Sequence, residues 1–467
     1  MSAVRPDLGA GRRWRRVLVY GLGLSGAAAA RLATSRGVAV LGVDRRAPRD
    51  LDLELPAGSR FEGWSEEEAV GRQLPSDVEA VVLSPGVPPD RPLLVEARRR
   101  GLPVIAEIEL AFPLLDGPVV AVTGSNGKST TTALAGAMLA AAGRRVEVCG
   151  NIGTALSAVV DGPPDRVFVV EVSSFQLEAV DSFRPRAAAW LNLSADHLDR
   201  YAGLDEYAAA KERIFARQGE GDVAVLNADD ARVAAITVRS RRRLFSRRGA
   251  VADGCFVAGG TVVERTAGGA DGEPLFRLDA LPLAGAHNLE NAMAAALLAR
   301  ALDAPPAAIA DALAGFAGLP HRMQRLEVGG PLLWYDDSKA TNVAAAAKSL
   351  EGLPDGRVHL ILGGRAKGDD PAELAELVGV KAKAMYVIGE SADLFAAALG
   401  GVAPCHRVGT LERAVAEATR RGEPGDVVLL APACASFDQF DSYAHRGREF
   451  ARLAAASVAA PVPGGAG

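Results

Sequence analysis

A lysine, six hydroxyls and two glycines stand together in the run AVTGSNGKSTTT at 121–132, and the chemistry they could do is to hold a phosphorylated ligand. Gly124 and Gly127 let backbone N–H groups close on an anion. The helix expected after them adds the partial positive charge of its N-terminus, and Lys128 reaches the outer phosphates. Ser129 or Thr130 can hold a magnesium ion. The common loop of this type carries a glycine where Val122 stands here, so this loop is shorter than the usual form. A glycine-rich turn with no ligand is the alternative. Against it, the apolar stretch 118–122 before the loop and the alanine-rich stretch 130–142 after it, ended by Gly143, supply the strand–loop–helix setting of a nucleotide cradle. ATP is the expected ligand.

Four further clusters carry chemistry. GLGLSG at 21–26, with Asp44 at the tip of the next strand-like stretch, copies a dinucleotide fingerprint. Alone it fits NAD, any nucleoside diphosphate, or a tight βα turn without a ligand. Glu171 ends the apolar run 167–170 and His197 follows the run 187–193. Both would lie on the sheet edge that carries the phosphate loop, where a carboxylate and an imidazole suit magnesium beside a triphosphate. Lys211, in the helical stretch 205–217, reads by composition as an ordinary surface lysine. DDSKATN at 336–342, with Gly363, Gly364 and Lys367, places cations and hydroxyls at later strand ends, groups suited to a small anionic substrate. Ser338 and Asn342 could equally be helix caps.

The elements that must position these groups fall into three blocks, each opening with a strand and alternating strand with helix. The first opens with VLVYGLGLSG and runs to about residue 107. The second starts at Pro118 and continues through RVFVVEVSS at 166–174. The third opens with LLWYDDSKATN at 332–342 and adds RVHLILGG, AKAMYVIG and DVVLLAPACASFDQF. Such alternation argues for parallel sheets covered by helices on both faces, with ligands beyond the carboxyl ends of the strands. The expected fold is α/β in three domains, 1–110, 111–320 and 321–467: a Rossmann-like first, a P-loop ATPase-like second and a Rossmann-like third. Three strand ends facing one cleft would assemble one site.

A chain of 467 residues has room for three such cores. Its 52 Lys+Arg against 57 Asp+Glu give a net charge of −5, which argues against a general nucleic-acid binder. The local exception, the arginines at 239–243 and 247–248, reads as a solvated loop. Four scattered cysteines form no metal-type pair and fit a reducing cytosol. The arginines at 12–16 and the apolar stretch after them imitate an export signal, but Gly21, Gly23 and Gly26 interrupt it at dinucleotide-fold spacing. No apolar run reaches the ~18 residues of a membrane span. Export and membrane insertion are not expected, and the tail after Ala455 is expected to fray.

Taken together, TGSNGKST, GNIGTAL at 150–156, EVSSFQLE at 171–178, LNLSADHLDRY at 191–201, YAAAKERI at 207–214, GAHNLENAMAA, LPHRMQ, DDSKATN and PACASFDQF resemble the Mur ligases. These are the ATP-dependent amide-bond-forming enzymes of peptidoglycan precursor synthesis. The likeness runs from Val17 to about Arg452, and several motifs in the same order look like the D-glutamate-adding branch. The resemblance implies UDP in the first domain, ATP in the second and the incoming amino acid in the third, in a cytoplasmic enzyme expected to act as a monomer. It implies an ATP site at Thr123, Gly124, Ser125, Asn126, Gly127, Lys128 and Ser129, joined by Asn288, Asn291, Arg322 and Asp337. Magnesium would be served by Ser129, Glu171, His197 and Lys211, the last matching a family lysine carbamylated by carbon dioxide. UDP-N-acetylmuramoyl-L-alanine would meet Gly23, Leu24, Ser25, Gly26, Asp44 and Ser84, with Asn151 and His197 near its reacting carboxylate. Lys128, Asn151, Glu171, His197 and Lys211 would form the catalytic set, and Thr341, Lys367, Ser436 and Tyr443 the D-glutamate pocket. Tyr443, often phenylalanine in the family, and Arg365 depart from the pattern, and Arg365 leaves the local charge open. Two rivals are a related ligase acting on another amino acid or a folate, and an NAD-dependent oxidoreductase. The first is opposed by GLGLSG with SPGVP and by the lack of a DNPR-like motif, and the second leaves two blocks unexplained.

Overall fold

Runs of Val, Leu, Ile and Ala four to seven residues long, with almost no polar interruption, are what strands buried on both faces require. The computed structural model describes residues 8, 9, 11, 13–51, 53–196, 200–269, 272–281, 285–316, 318–366 and 369–459. His197 and Lys367 lie outside these residues.

Such runs form the central strands of three sheets: Arg16–Tyr20 in the first, Val119–Thr123, Arg166–Glu171 and Ala187–Trp190 in the second, and Val358–Gly363 and Val427–Leu430 in the third. The first comprises β1 (Arg16–Tyr20), β2 (Ala39–Asp44), β3 (Phe61–Ser65), β4 (Ala80–Leu83) and β5 (Val104–Ala106), all parallel in the order β3-β2-β1-β4-β5. That order reverses between β1 and β4, and the crevice beyond their carboxyl ends is where a doubly wound sheet binds its ligand.

The second sheet comprises β6 (Val119–Thr123), β7 (Arg145–Gly150), β8 (Arg166–Glu171), β9 (Ala187–Trp190), β10 (Val223–Asn227), β11 (Arg241–Ser246), β12 (Gly254–Ala258), β13 (Thr261–Arg265) and β14 (Glu273–Arg277). They lie in the order β14-β13-β12-β11-β10-β9-β6-β8-β7. From β7 to β12 the pairing is parallel. The last two strands turn back antiparallel, which the strand–helix alternation did not anticipate.

The third sheet comprises β15 (Gln324–Leu326), β16 (Leu333–Asp336), β17 (Val358–Gly363), β18 (Ala382–Ile388), β19 (Cys405–Gly409) and β20 (Val427–Leu430), in the order β15-β16-β20-β17-β18-β19. Only β15 is antiparallel.

Two compact units result: 1–193 with 205–280 and 290–315, which holds the first two sheets, and 194–204 with 281–289 and 316–467, which holds the third. Inside the first unit one hydrophobic cluster runs from Val17 and Val19 of β1 through Ile108 and Leu110 to Val119, Phe168 and Trp190 of the second sheet. Among the described residues no helix is long and apolar enough to cross a membrane.

Two expectations are corrected. The arginines at 241–243 are not a solvated loop but the start of β11. Arg243 is 4% exposed and pairs with Asp253 (3.0 Å) and Glu264 (2.6 Å), while Glu264 also holds Arg300 (2.6 Å). Acidic partners on and beside the neighbouring strands neutralise the run and let it enter a sheet. The chain past Ala455 does not fray at once, since the last helix continues from Tyr443 to Ala459.

The short helix Glu107–Ala111 joins the two sheets of the first unit through two buried carboxylates. Glu109 accepts the backbone N–H groups of Ser182 (2.8 Å) and Phe183 (3.0 Å). Glu107 accepts the N–H of Ser157 through Oε1, and its buried Oε2 has no hydrogen-bond partner. Burial pushes the Glu107 carboxyl up to about 7, against the Ser157 hydrogen bonds. A carboxyl raised in this way favours the folded state most below its unfolded value near 4.5, and that contribution is lost as pH rises through about 7. Glu107→Gln, which stays neutral, is therefore expected to gain on the native protein by roughly 3 kcal/mol between pH 4 and pH 8. Denaturant titrations at the two pH values check this, and a pH-independent difference would refute it.

Candidate functional site

In the first unit, β6 ends at Thr123 and the chain turns through Gly124 (φ +156°) and Gly127 (φ +84°) into the helix Lys128–Ala141. The helix begins two residues earlier than the composition suggested, so Lys128 is its first residue. A Cβ at Gly127 would stand 2.2 Å from Asn291 Oδ1, and Asn291 also accepts from the Thr131 hydroxyl at 3.3 Å. Asn192 clasps the loop from the end of β9. The Asn126 N–H donates to its Oδ1 (2.9 Å), its Nδ2 donates to Asn126 O (3.1 Å), and the Ser125 N–H donates to its carbonyl (3.1 Å). Sequence reasoning missed Asn192; the available signal was its place directly after an apolar strand, within LNLS.

Two ammonium groups converge on this loop. Lys128 Nζ donates to the carbonyls of Gly124 (2.9 Å) and Ser125 (2.8 Å), and Lys211 Nζ donates to the same Gly124 carbonyl at 2.9 Å. Lys211 sits near the end of the helix Leu204–Glu212, is 1% exposed, and has its Nζ 4.3 Å from the centre of the Tyr207 ring. The composition reading of a surface lysine is wrong.

On the next strand, Glu171 ends β8 and is buried. Its Oε2 accepts the Ser129 hydroxyl and its Oε1 accepts Asn151 Nδ2 at 2.8 Å, while the Asn151 N–H donates to the Glu171 carbonyl at 2.8 Å. Ser129, Asn151 and Glu171 are thus brought together beside the phosphate loop. A hydroxyl and one buried carboxylate form a hard-oxygen donor set. Among the described residues no group of three or more His, Cys, Asp or Glu could cage a metal ion. A hydroxyl beside one carboxylate suits magnesium, which keeps its waters and is held by one or two carboxylates together with substrate phosphates. The residues fit that ion, with Ser129 and Glu171 to hold it; His197, the other proposed ligand, lies outside the described residues.

The first sheet carries the second glycine loop at its switch point. Gly21 has φ +82°, and a Cβ on Gly26 would lie 1.7 Å from the Gly21 carbonyl, so the helix Leu24–Ser35 can close on β1 only through glycine. Ser84, from beyond β4, donates its hydroxyl to that carbonyl at 2.7 Å. Asp44 receives the N–H groups of Leu22 (2.7 Å) and Arg46 (3.1 Å). Gly23 caps the helix, Ser25 follows on its first turn, and Leu24 is 83% exposed at the mouth of the loop.

In the second unit, Asp336 at the end of β16 pairs with His321 Nδ1 at 2.6 Å, next to Arg322. Asp337 is buried. Burial pushes its carboxyl up to about 6, opposed by a hydrogen bond from the Ser349 hydroxyl and by Arg322. Asn288 is also buried in this unit, one turn ahead of Asn291 on the helix Ala286–Arg300. Asn342, not Ser338, caps the helix Val343–Glu351, and its Nδ2 donates to Asp196 at 3.1 Å. The residue after Thr341 thereby touches the residue before His197.

Ser338 instead donates to the carbonyl of Tyr443 at 2.8 Å, and Lys339 Nζ lies 4.0 Å from the centre of the Tyr443 ring. Ser436 is buried and its carbonyl accepts from Phe440 at 2.9 Å. A second missed residue, Arg446, lies 1% exposed behind this cluster. Its Nε donates to Ser338 Oγ (3.0 Å) and its Nη2 to the carbonyls of Ser338 (2.9 Å) and Cys434 (3.1 Å). Burial pulls its guanidinium down to about 10. The charge of Arg365 is met by Glu390 at 3.0 Å.

Residues 122–299 match the Mur ligase middle domain, and 321–434 match the Mur ligase glutamate ligase domain. The chain is 45% identical over 444 residues to the UDP-N-acetylmuramoylalanine–D-glutamate ligase of Acidobacterium capsulatum, covering 94% of this chain and 96% of that one. It is 46% identical to the enzyme of the same name from Anaeromyxobacter dehalogenans, covering 94% and 97%. Among solved structures, the MurF ligase of Thermotoga maritima in complex with ADP has the same fold, with a TM-score of 0.60, 19% identity and coverage of 90% and 95%. The UDP-N-acetylmuramate–alanine ligase of Thermotoga maritima follows with 0.58, 19%, 95% and 99%.

Gly127→Ala puts a side chain at positive φ and against Asn291. The strain, about 1–2 kcal/mol before the contact with Asn291 is counted, is expected to weaken nucleotide binding by at least about tenfold. Titration with a fluorescent ATP analogue, on protein shown by thermal melting to be folded, reads the effect. Native affinity in the variant would mean that this loop is not the nucleotide site.

Proposed function

The chain belongs to the Mur ligase family, and we propose that it joins D-glutamate to UDP-N-acetylmuramoyl-L-alanine with ATP, in peptidoglycan precursor synthesis. The observation that carries this reading is a match of 41–46% identity over almost the whole chain to enzymes that all bear that activity in their names. The same reading has it working in the cytoplasm, as a monomer of three domains at 1–110, 111–320 and 321–467. GLGLSG, Asp44 and Ser84 take the UDP portion. The phosphate loop, with Asn288, Asn291, Arg322 and Asp337, takes ATP. Thr341, Lys367, Ser436 and Tyr443 take D-glutamate.

The L-alanyl carboxylate attacks the γ-phosphorus of ATP, ADP leaves, and an acyl phosphate forms. The amine of D-glutamate then adds to the acyl carbon, and inorganic phosphate departs with an amide in its place. Lys128 and the N–H groups at the start of its helix offset charge on the transferring phosphoryl group, with Arg322 supplying a further cation. Asn151 orients Glu171 and offers its amide to the substrate carboxylate, with His197 as its neighbour in that role. Ser129 and Glu171 would hold a magnesium ion, which would supply charge neutralisation and alignment of the phosphates. Lys211 as an amine is a poor companion for that ion. Its neutral form can add to carbon dioxide with loss of one proton, giving a carbamate whose oxygens could join the ligand set.

An amino-acid panel with UDP-N-acetylmuramoyl-L-alanine and ATP, followed by phosphate release, tests the assignment. D-Glutamate is expected to be the substrate, and preference for another amino acid would overturn it. Lys211→Ala is expected to lose most activity and to regain part of it with added short carboxylic acids; a variant active without them would exclude the carbamate. Lys367→Ala removes a charge-assisted contact of about 1.5–3 kcal/mol. The Michaelis constant for D-glutamate should rise by roughly one to two orders of magnitude, while those for ATP and the UDP substrate stay near native. A rise in the UDP-substrate constant instead would reverse the assignment of substrates to domains.

A further inference from the structure

The loop 150–157 is held at both ends. At its start, a Cβ on Gly150 would stand 2.3 Å from the Glu171 carbonyl, and Asn151 is tied to Glu171 by both its main-chain N–H and its side-chain amide. Within the loop, the Gly150 N–H donates to the Thr154 carbonyl at 2.9 Å. At its end, the short helix Leu156–Ala158 packs on the helix Glu107–Ala111. There the Ser157 N–H donates to Glu107 Oε1, and the Ser157 hydroxyl donates to the Glu107 carbonyl at 3.4 Å.

Glu107 touches none of the groups assigned to substrate, nucleotide or metal. It is 1% exposed, and its Oε2 has no hydrogen-bond partner. Linking one sheet to the next does not demand such a residue. Glu109, two residues on, already docks the same helix through three hydrogen bonds to Ser182 and Phe183. A leucine would fill the Glu107 site without leaving a buried oxygen unpartnered. What Glu107 alone supplies is an acceptor for the first turn of the helix that ends the Asn151 loop.

We propose that Glu107 is a positioning residue for the ligase reaction: by fixing Ser157 it sets the 150–157 loop so that Asn151 holds the Glu171 carboxylate beside Ser129. The proposal rests on the reading of Asn151 and Glu171 given above. Its chain of contacts is continuous, from Glu107 to Ser157, through the loop to Asn151, and on to Glu171 and Ser129, all within the first unit. Only the acceptor oxygen is needed, so a neutral amide in the same place serves as well as a carboxyl.

The experiment is a double-mutant cycle with Glu107→Leu and Asn151→Ala in the full chain, with Glu107→Gln as the conservative variant. Wild-type turnover of D-glutamate tests the underlying reading by itself; without it the reading fails, and the cycle is not what failed. With turnover established, Glu107→Leu is expected to lower kcat by about tenfold to a hundredfold, the range seen when a group behind a metal ligand is removed. Affinity for a fluorescent ATP analogue should stay within about twofold, because the phosphate loop is untouched, and Glu107→Gln should recover most of the rate. In the Asn151→Ala background, Glu107→Leu should have little further effect, because its influence passes through Asn151. Losses that simply multiply, an equal fall in ATP affinity, or a glutamine variant as slow as the leucine variant would each overturn the proposal. If Glu107→Leu does not fold, Glu107→Asp, which withdraws the acceptor by one methylene, enters the same cycle with the same criteria.

Discussion

One carbonyl oxygen, that of Gly124, receives two lysine ammonium groups, each at 2.9 Å. The two nitrogens can therefore be no more than about 5.8 Å apart, and if both were charged they would repel by about 3 kcal/mol at an effective dielectric of 20. Lys128 and Lys211 thus meet at one point of the loop, each placed there by a helix at the same edge of the second sheet. In the function proposed above, the polyphosphate of ATP would lie over Lys128, and a carbamate at Lys211 would replace its positive charge with a negative one.

The loop reaches that arrangement without the first glycine of the commoner pattern. Val122 stands in its place and is wholly buried inside β6, where it takes part in the sheet, not in the turn. Fewer loop residues mean fewer N–H groups turned inward by the backbone alone. Asn192 makes up the difference by binding Asn126 through both faces of its amide. Because Asn192 follows β9, the neighbour of β6, sheet register fixes the distance between clasp and loop. The short loop is thus held by tertiary contact where a longer one would be held by its own turns.

Much of this was legible in the sequence, because strand ends and glycine spacings are local. The phosphate loop, the Glu171 strand end and the GLGLSG turn each sit within a few residues of the features that announce them. What was not legible depended on partners distant in the chain. Lys211 reads as a surface residue in its own helix, and only the 87-residue return to Gly124 buries it. The arginines of β11 read as a loop because their neutralising partners, Asp253 and Glu264, come ten and more residues later. Arg446 lies in a helix of mixed composition, and its burial is decided by the carbonyls of Ser338 and Cys434. The antiparallel strands β13 and β14 were hidden for a related reason: a short hairpin has no helix to mark it.

The glycine fingerprint of the first sheet shows how fold and function part company. Gly21 and Gly26 are fixed by sterics: a Cβ on Gly26 would strike the Gly21 carbonyl, and Gly21 itself has a positive φ and no room for a Cβ beside Ser84 and Val87. That requirement belongs to any βα unit with a tight turn, whichever ligand follows. Asp44 is where a dinucleotide-binding protein would recognise a ribose, but here its two oxygens receive the N–H groups of Leu22 and Arg46 and brace the turn itself. Ser84 braces it from the other side of the switch point. The carboxylate that most strongly suggested a nicotinamide enzyme is already engaged in holding the loop closed. The crevice presents the start of the helix Leu24–Ser35 and the exposed Leu24, with Asp44 and Ser84 beside them bracing the loop.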